Sequence, residues 1–377
     1  MEHTGASPSM GIRSTELADV ARWDGPFLSV LLETRAALEH PSQVSEGRWQ
    51  IHRDRLVAQG ADSRCIEMVD GIVSSAHLGG DGLGVVATPD GRMHVEHHAE
   101  APDRERAEWS TVPSLAMLIE WRQQALPYVL VLIDHRGADL VAVVREQSRA
   151  PVEAGVRDYP LTKTAPGGWS QHRYQRRAEN TWRDNAEDAA AMVTGLAGEI
   201  GAQLVLIAGD ERVSHMLLGD LPRSLAEQAR LIPGGREPIE VASRMGEEVD
   251  RQVRSVAAEH TVAVLEAFHN ASGQAGRATD GPGPTLAALA EANVETLLVH
   301  DDVDDRRTAW MGTQPGEVAM EEAELRELGV GRFVQGRLVD VAVAEALRSG
   351  SGVRVVPSNG GPAGGLGAIL RWREEAR

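Results

Sequence analysis

The chain has 377 residues, 42% of them hydrophobic and 25% charged, with 56 acidic against 38 basic side chains and a formal net charge of −18. That length fits two or three domains, the apolar fraction excludes wholesale disorder, and no apolar stretch approaches the ~20 residues of a membrane span. The single cysteine, Cys65, excludes an intramolecular disulfide and a multi-cysteine zinc site, and is expected as a small buried hydrophobe.

Along the chain, the first buried strand is expected at Phe27–Leu32, entered through Gly25-Pro26, and helical and loop segments follow it. Val85–Thr88 and Arg92–His98 read as two strands joined at the Pro89-Asp90-Gly91 turn. Tyr128–Asp134 and Asp139–Val144 read as a buried hairpin turning near Arg136-Gly137. A Gly- and Pro-containing loop from Thr162 to Gly168 precedes a long helix, about Gln171 to Ile200, with Ser170 placed to cap it. The most apolar window, Ala189 to Ala208, is broken by Gly195, Gly198, Glu199 and Gly201. Leu204–Ala208 is the next strand, with a loop expected from Gly209-Asp210, and a second long helix is expected from Glu240 to Phe268. Asp280 to Thr285 reads as a flexible insert, Leu286–Ala292 as a helix, Thr296–His300 as a strand, Val339–Leu347 as a helix, and Val353–Val356 and Ile369–Trp372 as the last strands. This alternation implies an α/β sandwich in the third region. No basic segment leads into an apolar run at the N-terminus, so no signal peptide is expected and the location is expected to be cytoplasmic.

A net charge of −18 argues against a general binder of nucleic acid such as DNA, because phosphate contacts need positive charge. One segment departs from that average. Between Leu161 and Arg183 stand Lys163, the only lysine, with Arg173, Arg176, Arg177 and Arg183, against one acid, Glu179. Arg173, Arg176 and Arg177 are spaced i, i+3 and i+4, so a helix would place them on one face, and Arg183 lies two turns beyond Arg176. Such a stripe suits RNA phosphates, and Trp169 or Tyr174 could stack on an unpaired base. A solvated basic face paired with Asp184 and Glu187 is the alternative. Gly167 and Gly168 remove two Cβ atoms and let backbone approach a ligand closely. Gln171, at the start of the helix, has no proton that titrates near neutrality; it can orient a water and donate to a developing oxyanion.

Other clusters are weaker. His94, Glu96 and His98 alternate along one strand face, a metal-ligand pattern with no further ligand in view; an exposed polar strand is the favoured reading. Asp301, Asp302, Asp304 and Asp305 lack EF-hand spacing, and Arg306-Arg307 can neutralise them, so a solvated loop is expected. Neither Gly80–Gly84 nor Gly360–Gly367 matches a dinucleotide or phosphate loop, and no GxSxG elbow occurs. No cofactor or metal is expected.

Three stretches resemble the archaeo-eukaryotic release factor superfamily, whose members include the eukaryotic class-one release factor and Pelota. They are Gly167-Gly168-Trp169-Ser170-Gln171-His172-Arg173-Tyr174-Gln175-Arg176-Arg177, Val294–Val299, and Gly365-Leu366-Gly367-Ala368-Ile369-Leu370-Arg371-Trp372, the last similar to a closing GIGAILRY-type strand. Release factors carry Gly-Gly-Gln, whereas here Trp169 and Ser170 separate the glycines from Gln171. Gly168-Trp169-Ser170-Gln171 instead is similar to the GxxQ form of peptidyl-tRNA hydrolases of ribosome-associated quality control and their actinobacterial relatives. The resemblance implies an α/β (α+β) protein of three domains, 1–125, 126–257 and 258–377. Its middle domain would be RNase H-like and carry the catalytic loop. It further implies binding to the ribosomal A site, with ribosomal RNA and peptidyl-tRNA as partners and a translational GTPase as an open one, and no membrane partner. Gly167 and Gly168 would shape the loop, Gln171 would place the water, and Lys163, Trp169, Arg173, Tyr174, Arg176, Arg177 and Arg183 would contact RNA. No NIKS-like codon-reading motif occurs in the first domain, so the expected hydrolysis is independent of the codon. The same superfamily includes a hibernation factor, Balon, which occupies the A site without releasing peptide.

Overall fold

The computed structural model describes residues 11–34, 41–74, 81–98, 101–134, 137–143, 182–235, 240–273 and 276–372. They fall into two units, one made of residues 1–123 and 260–377 and the other of residues 124–259.

In the first unit, helix α1 (Thr15–Val20) starts at Ser14, whose hydroxyl accepts from the Leu17 amide at 3.2 Å. The mostly apolar run of β1 (Phe27–Glu33), interrupted by Ser29, becomes a central strand buried on both faces. After α2 (Pro41–Ala58) and α3 (Ser63–Val73, capped by Asp62), the chain forms β2 (Gly82–Ala87), β3 (Met93–His98) and β4 (Arg106–Ser110). The antiparallel sheet has the order β3-β2-β1-β4, with Val30 opposite Val85 and Ala107. The turn expected at Pro89–Gly91 is present, with Gly91 at φ 93°, a value that favours glycine. Leu28, Val30 and Leu32 face Trp49, Leu56, Ile66 and Val69. Phe27, Leu31 and Val86 face the other way, toward α4 (Ala116–Gln124) and its Leu118 and Trp121. Cys65 is fully buried on the first of these faces.

The second unit opens with the expected hairpin, β5 (Tyr128–Asp134) and β6 (Gly137–Val143). Helix α5 is described over Trp182–Ile200, so the expected start at Gln171 and the Ser170 cap lie outside the described residues. Strand β7 (Leu204–Gly209) follows as expected. The loop expected at Gly209-Asp210 is instead a direct entry into α6 (Glu211–Asp220): the Asp210 carboxylate accepts from the amides of Arg212 at 3.0 Å and Val213 at 3.2 Å, so the aspartate starts a helix. Short α7 (Arg223–Glu227) leads to β8 (Ala229–Ile232), and α8 (Glu240–Gly273) fulfils the second long-helix expectation. The sheet order is β6-β5-β7-β8, with β5, β7 and β8 parallel and β6 antiparallel. One face packs on α5 and α6 through Ala189, Val193, Leu196, Val213 and Leu217; the other packs on α8 through Val249, Val253 and Val256.

The chain then returns to the first unit. The insert expected at Asp280–Thr285 is ordered: β9 (Ala278–Asp280) passes through Gly281, at φ 97°, straight into α9 (Pro282–Ala290). Pro282 opens that helix because a first-turn residue has no intrahelical N–H bond to lose. The remaining elements are β10 (Val294–Val299), β11 (Thr308–Gly312), β12 (Val318–Ala319), α10 (Glu322–Glu327), β13 (Phe333–Arg337), α11 (Leu338–Arg348), β14 (Gly352–Val355) and β15 (Leu366–Leu370). Strand β10 runs parallel to β14 and antiparallel to β15, which pairs with β9. The last strand begins earlier than expected, because Leu366, Ala368 and Leu370 alternate into the core while Gly367 lies against the Phe268 ring. A smaller sheet, β12-β11-β13, was not anticipated. The alternation of helix and strand otherwise gives the expected mixed α/β fold. Residues from both ends of the chain share one core, and the Gln123 amide exchanges hydrogen bonds of 2.9 and 2.6 Å with the Val355 backbone.

Candidate functional site

Lys163, Gly167, Gly168, Trp169, Gln171, Arg173, Tyr174, Arg176 and Arg177 lie outside the described residues. Arg183 is the second residue of α5. The structure therefore defines the frame that carries the GGWSQ segment, namely the elements on either side of residues 144–181. Before the segment, β6 ends with Val143 opposite Tyr128, and Tyr128 stands beside Leu204 in β7; Val143 is thus at the edge where β5 and β7 begin. After it, α5 delivers the chain to that same edge through Gly201–Gln203, with the Gln203 amide donating to the Pro127 carbonyl at 2.8 Å. A helix of 19 residues spans about 28 Å, whereas a strand of six residues such as β7 spans about 20 Å. The first turn of α5 therefore stands at or past the opposite edge, where β5 and β7 end.

That opposite edge is built by close backbone approach. Gly209 has φ 147°, and a Cβ there would overlap the Ile133 carbonyl oxygen, which accepts from the Asp210 amide at 3.0 Å. Gly234, at φ 137°, lies against Met245 and Ala208. A shallow depression over the first turn of α6 is lined by Asp210, Glu211, Arg212, His215 and Met216. Asp210 already accepts from the Arg212 and Val213 amides of that turn, so a carboxylate stands where an anion would bind. Helix α5 buries Ala186, Ala189, Ala190, Val193 and Ala197, and these small residues let it lie close on the sheet.

The histidine strand is not exposed. Glu96 and His98 are buried, and Glu96 is enclosed by donors: His94 Nε2 at 2.7 Å, His98 Nε2 at 3.2 Å, Arg122 Nε at 3.0 Å and Arg122 Nη2. Burial pushes the Glu96 carboxyl up, but the hydrogen bonds from His94, His98 and Arg122 outweigh it and hold the group well below the usual carboxylate range. The His98 ring stacks on Trp121 with centroids 3.5 Å apart. The guanidinium of Arg122 thus supplies the positive charge that a metal ion would have brought. Among the described residues, no group of three or more His, Cys, Asp or Glu is arranged to hold a metal. Arg122 escaped the sequence reading; its one signal is an arginine three residues beyond the apolar run Leu115–Ile119.

The aspartate run is only partly solvated. Asp305 pairs with Arg307 at 2.6 Å, as expected, but Asp301 is buried between Arg106 and Arg337. Burial acts to raise its carboxyl, and the two guanidiniums prevail and lower it. No helix among the described residues is long and apolar enough to cross a membrane.

Residues 127–274 match the family model of bacterial archaeo-eukaryotic release factor family 2, a stretch that takes in nearly all of the second unit and the rest of α8. An uncharacterised protein of Mycobacterium tuberculosis, Rv2629, is 24% identical over 366 residues, covering 96% of this chain and 97% of its own. Among solved structures, Archaeoglobus fulgidus Pelota aligns at 14% identity and a TM-score of 0.37, covering 78% of this chain and 80% of that one. An archaeal Pelota from an assembly of ribosome-bound Pelota and ABCE1 aligns at 16% identity and a TM-score of 0.39, covering 100% of both chains.

Proposed function

We propose that this chain, a bacterial archaeo-eukaryotic release factor-like protein, binds the ribosomal A site and hydrolyses the peptidyl-tRNA ester on stalled ribosomes or large subunits without reading a codon. The observation that carries this reading is Gly168-Trp169-Ser170-Gln171 in the segment joining β6 to α5, inside the stretch that matches the family. Hydrolysis of an activated ester needs a positioned water and stabilisation of the oxyanion more than a strong base. A glutamine amide meets that need: its carbonyl accepts from the water and its NH2 donates to the developing charge. Gly167 and Gly168 give the backbone the freedom to enter a narrow RNA site, while Lys163, Trp169, Arg173, Tyr174, Arg176, Arg177 and Arg183 hold RNA by phosphate contact and stacking.

The test is single-turnover release of labelled peptide from stalled ribosome–peptidyl-tRNA complexes, with cosedimentation of the protein. Gln171→Ala should lose most of the release and keep its binding, since it removes a contact made in the transition state. Equal release by both proteins refutes the assignment.

The alternative is a hibernation or stress factor that shares this binding site and occupies idle ribosomes without peptide release, with Gln171 incidental. Binding of both proteins with release by neither would establish it.

A further inference from the structure

A cluster of ionisable side chains, which takes in the Asp301 pairs with Arg106 and Arg337, joins the N-terminal sheet to the C-terminal elements of the first unit. From β4 come Arg106 and Glu108, paired at 2.7 Å, and just after it comes Ser114. From the turn after β10 comes Asp301, from the end of β13 Arg337, and from the first turn of α11 Asp340. Asp301 pairs with both Arg106 and Arg337, and Arg337 donates from Nε and Nη2 to the two Asp340 oxygens, each at 3.2 Å. Asp340 is only 2% exposed.

Two counts in this cluster do not balance. Among the groups in contact, three carboxyls, Glu108, Asp301 and Asp340, face two guanidiniums, Arg106 and Arg337, which leaves one surplus negative charge, with Asp340 itself out of water; Glu120 of α4 faces Asp301 and Arg106 from outside these contacts. The Ser114 hydroxyl lies 2.6 Å from Glu108 Oε2 and 3.3 Å from Asp340 Oδ2, but it has one hydrogen to give. With that hydrogen directed at the nearer Glu108 oxygen, Asp340 Oδ2 meets a lone pair. A proton on Asp340 removes both imbalances: it cancels the surplus charge and donates to the serine oxygen.

We propose that Asp340 is a protonation switch in the joint between the N-terminal sheet and the C-terminal α/β elements, holding the two together when protonated and loosening them when ionised. Burial pushes the Asp340 carboxyl up to about 7 against the pull of Arg337, while Glu108 and Asp301 also act to raise it. Glu108 and Asp301 themselves lie below the usual range, because the guanidiniums outweigh their burial, so the proton resides on Asp340. The folded pKa exceeds the ordinary value of 3.8. Stabilisation by this group is therefore complete below about pH 4 and is lost as pH rises to about 7.

Carboxyl 13C NMR of the full chain, labelled in aspartate only so that glutamates stay silent, reads the proton directly. One aspartate resonance should titrate near pH 7 and be missing from Asp340→Asn. Absence of any aspartate titrating above pH 5, or persistence of the resonance in the variant, would overturn the proposal. Amide exchange over residues 106–115 and 338–348, corrected for intrinsic rates, reads the joint. In the wild type the opening constant should rise up to about tenfold per pH unit between pH 5 and 7 and then level, and in Asp340→Asn it should stay flat. A flat wild-type profile refutes the coupling even if the proton is found, and the wild-type titration stands as a test if the variant does not fold.

Discussion

Arg122→Met should be among the most damaging single substitutions in the first unit. Arg122 is fully buried and donates to both oxygens of Glu96 and, at 2.7 Å, to Ser14 Oγ at the start of α1. Methionine fills most of the side-chain volume, so the loss is chiefly electrostatic. It leaves a buried carboxylate held by His94 and His98 alone, and breaking one partner of such a pair costs about 3–5 kcal/mol. For a unit of this size, about 2–4 °C of Tm per kcal/mol converts that loss to a fall of roughly 6–20 °C. Thermal unfolding followed by tryptophan fluorescence is suited to the measurement, because Trp121 stacks on His98 within the same cluster. The double variant Glu96→Leu/Arg122→Met, which removes both charges, should regain much of the loss, since apolar replacement of a buried ion pair is often neutral or better. The pH dependence carries a second sign. The folded-state Glu96 lies below its ordinary range, so its stabilisation is present above about pH 4.5 and is lost as pH falls toward its folded value. In Arg122→Met that acid-side loss should shrink. A Tm within 2 °C of wild type, or a double variant no better than the single one, would refute the reasoning.

The remaining predictions concern the second unit. Replacing Arg173, Arg176 and Arg177 together with alanine should weaken ribosome binding and flatten the slope of log K against log salt by about 2–3; an unchanged slope excludes the RNA face. Gly209→Ala places a Cβ on the Ile133 carbonyl at a backbone conformation that favours glycine, so it should destabilise the second unit by about 3 kcal/mol or more, read by denaturant unfolding. A loss below 1 kcal/mol would mean that the β7–α6 junction relaxes freely.

Strands that are buried on both faces were the most legible parts of the sequence. Tyr128–Ile133 and Leu204–Ala208 are unbroken apolar runs and Phe27–Leu32 is broken only by Ser29, and each became an interior strand within one or two residues of expectation. Legibility failed where a partner distant in sequence decides the environment. His94, Glu96 and His98 read as solvated because nothing nearby announces Arg122, which stands 26 residues after Glu96. Asp301 read as part of a solvated run because its guanidiniums come from β4 and β13. The stretch from Asp280 to Thr285 read as a flexible insert, since glycine and proline signal turns from composition alone, while their positions at a helix start make them compatible with α9. The small β12-β11-β13 sheet went unseen because its strands are short and their apolar residues sparse. The GGWSQ segment was found by its motif, and the structure locates only the two elements that flank it.

Those flanking elements give the proposed chemistry a physical setting. Strand β6 ends at Val143, at the edge of the sheet where β5 and β7 begin, and α5 returns the chain to that edge at Gln203. The positive charge of the segment stands out against a chain whose remainder is strongly acidic. On a ribosome that contrast favours one orientation: the basic segment is drawn toward RNA while the acidic body is repelled from it. Phosphate attraction alone would bind any RNA; attraction confined to one segment, opposed everywhere else, binds only where RNA offers a recess that admits the segment and leaves the body outside. The peptidyl transferase centre, approached from the A site, is a recess of that kind, and within the proposed function it is this charge contrast, more than the glutamine, that selects where the water is delivered.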